Sequence, residues 1–258
     1  TLSPLASNQF SNNPELQEAL RLRLQRSFQP GTITWVAGNL SQDYRNHPYF
    51  PSRGYMWNFD AKLAVPTSKQ GELALQDTSS ENQQIDFSFF KVGLSGDWYT
   101  PLIGENTLVL HGHGYFGAIT EQAGRNILPY RELFHIGGPT TVRGYEFGEI
   151  GPVLFGDSIG GKRAFINNIE LMFPITGDYN MRGVFFYDGG ASWETPPISD
   201  ILGNRIENTS FEYRHSVGFG FRVSSPTPIR VDWGFKLDRK KQRNESISKV
   251  HISMSQDF

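Results

Sequence analysis

The chain has 258 residues, and 24 Lys and Arg against 26 Asp and Glu leave a net charge of -2 with 19% of positions charged, below the roughly 25% usual for a soluble domain. A pI near 6.3 argues against a broad basic surface for nucleic acid, the lack of cysteine excludes disulfide frameworks and thiolate sites, and no window approaches the ~18 consecutive apolar residues of a membrane-crossing helix. What remains is a chain rich in aromatic residues (20 Phe, 10 Tyr, 5 Trp) and in glycine (27).

Thr1-Leu2-Ser3-Pro4 offers neither an initiator Met nor a secretory signal, so the chain reads as mature or as a piece of a longer one. Residues 1–29 form an uncertain N-terminal segment. Behind Pro14, Leu16, Ala19, Leu20 and Leu24 share one side of a helix, whereas Leu20, Leu22 and Leu24 also alternate with Arg21, Arg23 and Gln25 as in a strand, the preferred reading. Over residues 30–258 the dominant period is two. Strands are expected near residues 32–40, 55–65, 85–101, 107–119, 161–174, 182–193, 211–225, 228–238 and 248–258, about nine in all, or ten with the N-terminal segment. In the second, Tyr55, Trp57, Phe59, Ala61, Leu63 and Val65 alternate with Met56, Asn58, Asp60, Lys62 and Ala64.

Between the fourth and fifth strands lies a long loop, residues 120–160. Its stretch from Glu132 to Pro152 carries Gly137, Gly138, Gly144, Gly148 and Gly151, which permit positive φ and close backbone approach. It is too apolar for a solvated surface loop, so it is expected to fold back against something. In the next strand Glu170 falls out of phase with Phe165, Ile169, Leu171 and Phe173, which places it on the polar face. Asp188 shares its face with Val184 and Phe186, so alternation alone gives its placement weak support. Phe211, Tyr213, His215, Val217, Phe219, Phe221 and Val223 form the cleanest apolar file, and Val250, Ile252, Met254 and Phe258 close the chain.

A water-soluble antiparallel sandwich alternates in the same way. Three features favour an antiparallel transmembrane β-barrel instead. The apolar face carries Trp, Tyr and Phe near strand ends, as interfacial girdles do; the other face mixes Arg, Asp, Glu and Gly, as a wet lumen does; short turns alternate with long loops. Many strands also approach the ~9–11 residues that cross a bilayer at a tilt.

No enzyme is legible. His111 and His113 share a strand face, but no third metal ligand is signalled, and a polar histidine pair is the plainer reading. Asp86, Asp97, Asp188 and His135 come with no nucleophile elbow or metalloprotease helix. Gly137-Gly138 lacks the strand-to-helix setting of a phosphate loop. No cofactor, metal or nucleic acid is expected.

Gly137-Gly138 followed by Val142-Arg143-Gly144-Tyr145 and Ile150-Gly151-Pro152 resembles the long sixth-loop motif of the BamA-like outer-membrane barrel-assembly factors, whose superfamily includes two-partner secretion transporters and organelle import barrels. Tyr49-Phe50-Pro51 with Gly54, Asn168-Ile169-Glu170, Phe186 to Gly190, Gly218 to Pro226 and Pro228 to Asp232 are similar to further family segments in the right order, although His47-Pro48 replaces the usual Arg-Gly. The resemblance covers roughly residues 30–258 and implies the C-terminal part of a sixteen-strand barrel with a lumen-inserted loop. It implies that Arg143 pairs with Glu170 and Asp188. It also implies that the last strand, with Val250, Ile252, Met254 and Phe258, forms a lateral seam through which barrel proteins are folded and inserted into the bacterial outer membrane. Ser255 stands where glycine is common. The implied partners are membrane lipid, nascent outer-membrane β-barrel proteins, periplasmic accessory lipoproteins, and the N-terminal barrel strands and transport domains that the sequence lacks. The alternative within the resemblance is a protein-translocating pore of two-partner secretion type.

Overall fold

The computed structural model describes residues 31–48, 50–65, 85–121, 128–154, 157–176, 181–195, 198–199, 205–206, 210–223, 229–240 and 245–254. The segment 1–29, Tyr49, Ser255 and Phe258 lie outside the described residues. Nine strands form one antiparallel sheet: β1 (Thr34–Asp43), β2 (Gly54–Val65), β3 (Phe89–Ile103), β4 (Leu108–Glu121), β5 (Arg163–Pro174), β6 (Met181–Trp193), β7 (Arg214–Val223), β8 (Ile229–Lys236) and β9 (Ser248–Ser253). Each pairs with the next in the chain, so the sheet is a simple up-and-down meander, with β1 and β9 as its edges among the described residues. Short connections, such as the Gly104–Thr107 turn between β3 and β4, lie at one end, and longer ones, including that between β4 and β5, at the other. That asymmetry is the one expected of an outer-membrane meander.

All nine expected strands are present, with shifts of a few residues at their ends. The third begins at Phe89 rather than 85, because Ile85–Asp86 pairs in parallel with Gly31–Thr32 in a separate ribbon. The seventh begins at Arg214, since Phe211 leaves the ladder and sets its ring edge-on against Trp193, centroids 5.0 Å apart. The last described strand stops at Ser253, so Met254 lies just beyond it.

The faces are inverted relative to a soluble sandwich. In β7, Arg214, Ser216 and Arg222 are buried while Val217, Phe219 and Phe221 are exposed; Arg222 shows 5% of its surface and Phe221 48%. β6 decides the placement of Asp188, for Val184 and Asp188 are fully enclosed while Phe185 between them is 57% exposed. A sandwich would bury the phenylalanines and turn the arginine to water. The main apolar core lies between the inner face and the returning loop, where Phe89, Ile119, Ala164 and Ile166 meet Leu128, Leu133, Phe134, Ile136, Val142, Tyr145 and Ile150. A smaller cluster, Tyr99, Val109, Met172, Val184 and Phe186, lies elsewhere on that face. No helix among the described residues is long and apolar enough to cross a membrane.

Candidate functional site

The loop is closed at its base by two isolated bridges, Phe134 to Gly161 and Ile136 to Ile150. Lys62 and Lys91, from β2 and β3, converge on Glu132: Lys62 Nζ is 2.6 Å from one carboxylate oxygen, and Lys91 Nζ donates to the Glu132 carbonyl at 2.8 Å. Burial works against ionising Glu132, but the two ammonium groups hold its carboxyl below the ordinary value. Beyond the base, Gly137 N donates to Thr141 Oγ1 at 2.9 Å and Gly138 N to the Val142 carbonyl at 3.2 Å. Gly137 has φ +118, and a Cβ there would run into the Glu146 carbonyl, so the turn demands glycine. The turn delivers Val142 against Ile136 and Gly190, and Arg143 into the wall.

Arg143 is 1% exposed. Its Nε donates to Asp188 Oδ2 at 2.6 Å and its Nη2 to Asp188 Oδ1 at 2.7 Å, the fork-on-carboxylate geometry that lysine cannot reproduce. Its backbone N–H donates to Asp188 Oδ2 at 3.0 Å, and Ser216 Oγ donates to its carbonyl at 2.5 Å. Nη1 lies 2.8 Å from Glu170 Oε1 and 3.5 Å from Asp232 Oδ1, ion pairs without hydrogen-bond alignment. The guanidinium lies over the Phe186 ring, 3.5 Å from its centroid, which gives this aromatic residue a cation to face on the inner side. Burial disfavours the cation, but Asp188 and Glu170 outweigh it, so the charge is held more firmly than in water.

Glu170 has more than one partner. Arg222 donates to it from Nη2 at 2.5 Å and Nη1 at 3.0 Å, and His111 Nδ1 stands 3.0 Å away. The other nitrogen of His111 is 2.9 Å from Asp97 Oδ1, which also meets His113 Nδ1 at 3.0 Å, and Tyr99 stacks flat on the His111 ring at 4.2 Å. The network borders a pocket of about 200 Å³ roofed by Pro139, Thr140 and Thr141 of the loop. The two histidines are thus held by carboxylates, and no group of three His, Asp or Glu side chains arranged so as to hold a metal ion occurs among the described residues. Asp97, Asp188 and His135 do not converge: His135 Nε2 sits 3.1 Å from the Tyr130 carbonyl, away from the other two networks.

Gly144 has φ +88, and a Cβ there would press on the Gly234 backbone at 3.0 Å, so loop and β8 touch glycine to glycine. Tyr145 is buried; its hydroxyl donates to Asp238 and, at 3.2 Å, to the His215 carbonyl, while Lys236 and Arg214 flank its ring at 4.8 and 5.2 Å. Gly151, φ +145, passes Ser192, and the Pro152 carbonyl accepts from Ile159 N at 3.0 Å. Val250, Ile252 and Met254 point away from this assembly and are exposed. Sequence reasoning singled out Arg143, Glu170 and Asp188 but left out Asp232, Ser216, Phe186 and Arg222. Asp232 and Arg222 were findable, because both fall out of phase with the apolar file of their strand.

An inverted sheet with charge and a docked loop inside and aromatic side chains outside defines the wall of a transmembrane β-barrel with an occupied lumen. The Omp85 superfamily domain matches residues 11–258, and the chain belongs to that superfamily. It is 27% identical over 256 residues to the outer membrane protein assembly factor BamA of Neisseria meningitidis serogroup B, covering 88% of this chain and 28% of that protein. It is 32% identical over 153 residues to the BamA of Nitratidesulfovibrio vulgaris, covering 58% and 18% respectively. The crystal structure of BamA from Haemophilus ducreyi lacking POTRA domains 1-3 superposes with a TM-score of 0.66 at 21% identity, over 94% of this chain and 47% of that one, a likeness of fold. The chain therefore spans less than a third of the first two relatives and about half of the third.

Proposed function

We propose that this chain forms part of an outer-membrane assembly factor, a barrel in the bacterial outer membrane that folds nascent β-barrel proteins and inserts them sideways through a seam at β9. The observation that carries the reading is the seating of Arg143. A loop gripped by Asp188 and Glu170 fills and braces the lumen, which suits a machine that works at its wall better than an open diffusion channel. The relatives named as outer membrane protein assembly factors support the same assignment. No catalytic step or cofactor is invoked.

The physical work is done by hydrogen bonds. A strand edge open to lipid leaves backbone N–H and C=O groups unpaired at several kcal/mol each. An incoming strand relieves that cost by adding to the edge, so edge pairing is both recognition and template. Periplasmic transport domains, accessory lipoproteins and additional barrel strands complete the proposed machine.

The test is complementation of a depletion strain with the full-length natural gene carrying Arg143→Ala. Reduced levels of many outer-membrane barrels, with the mutant protein itself present at normal abundance, are expected. Normal barrel levels and growth would overturn the proposal, and loss of export of one secreted partner alone would instead identify a secretion pore.

A further inference from the structure

The edge strand β9 is paired through Ser248–Ser253 with β8 and has no second ladder partner among the described residues. Its outward residues Val250 and Ile252 are exposed, so what holds it besides that ladder must lie on its inner side. Two of its inward side chains reach the motif loop. His251, 8% exposed, accepts a hydrogen bond at Nε2 from the backbone N–H of Gly144, at 3.0 Å. Lys249 Nζ donates to Glu146 Oε1 at 2.6 Å, an exposed pair that contributes little by itself.

His251 is also the register partner of Asp232, and Asp232 faces Arg143 at 3.5 Å. The imidazole therefore sits where the arginine seat, β8 and the edge strand meet. The Gly144 N–H it receives is buried, and the backbone of Gly234 packs directly against Gly144. Without that acceptor the N–H loses its partner in a place from which water is excluded, and the loop and the strand lose their buried hydrogen bond to one another.

We propose that His251 is a positioning residue that latches β9 to the motif loop, so that the edge strand is held while Arg143 is seated and is freed when the loop leaves its seat. The proposal deepens the seam reading above and rests on it for its biological meaning, but its physical content is a coupling between two segments of this chain.

The experiment is hydrogen–deuterium exchange on the intact protein in lipid nanodiscs, comparing wild type, His251→Phe, His251→Gln, Tyr145→Phe and the Tyr145→Phe/His251→Phe double variant. Phenylalanine keeps the ring and removes the acceptor; glutamine restores an acceptor oxygen. Tyr145→Phe loosens the loop at its contacts with Asp238 and the His215 carbonyl, without touching β9. His251→Phe is expected to speed exchange about tenfold both in 248–253 and in 143–147, the order of one lost buried hydrogen bond, with β3 to β5 unchanged, and His251→Gln is expected to recover most of it. Tyr145→Phe should speed exchange in β9 when His251 is present and have no further effect there when it is absent. Faster exchange in β9 alone, additive effects in the double variant, or no recovery by glutamine would each overturn the latch. Normal barrel levels and growth in the Arg143→Ala complementation assay, with intact coupling, would overturn the assembly function and leave the latch standing.

Discussion

Asp188 takes both a fork from the Arg143 side chain and a bond from its backbone, three hydrogen bonds from a single loop residue. Buried ion pairs of this kind fix geometry more than they stabilise, because desolvation offsets much of the attraction; removing one partner is what is costly. Asp188→Ala is therefore expected to destabilise the docked loop by about 3 kcal/mol, read as lost protease protection of residues 137–152, with Arg143→Ala costing a similar amount and the double variant hardly more than either. Additive losses would show that the two residues act apart. A second prediction concerns Glu132 between Lys62 and Lys91. Its carboxyl titrates below the ordinary 4.5, so the tie contributes fully above that value and is lost as pH falls through the lower folded one. The difference in denaturant midpoint between wild type and Glu132→Gln should be flat from neutral to about pH 5 and vanish in stronger acid; a difference growing toward alkaline pH would contradict it.

The elements were legible in the sequence because a strand with one face in lipid and the other in a polar lumen alternates with a period of two. β7 shows it plainly: Val217, Phe219 and Phe221 against Ser216, Gly220 and Arg222. Glu170 followed from the same rule, whereas Asp188 did not, since Val184 and Phe186 share its face. Phe186 lies inside because its ring carries the Arg143 guanidinium, and Val184 because it packs with Tyr99, Val109 and Met172 of β3, β4 and β5; alternation within a strand carries no record of what packs against it. The glycines of the loop were legible as freedom but not as contact. That Gly144 meets Gly234 is a fact of tertiary register. Gly144→Ala places a Cβ at a positive φ against rigid backbone and is expected to cost about 1–3 kcal/mol, visible as faster exchange in 142–146; an unchanged rate would mean that the loop can shift away from β8.

At the scale of the molecule, the inversion of the sheet is what the other features depend on. Charges on Arg143, Arg222, Glu170 and Asp188 are sustained inside because the lumen lets them pair, and the aromatic face is sustained outside because lipid accepts it. A cation placed on the outer face is accordingly expensive: Phe219→Arg, near the middle of β7, is expected to lower folding stability in lipid vesicles by about 2–4 kcal/mol, while an unchanged midpoint would deny that this face meets acyl chains. The most direct test of the whole is a spin-label scan through residues 214–223 of the protein in a bilayer, recording collision with oxygen and with a water-soluble metal chelate. The inverted wall predicts oxygen maxima at 217, 219 and 221, with labels at 216, 220 and 222 shielded from oxygen. Oxygen maxima at 216, 220 and 222, or none anywhere along the strand, would contradict it.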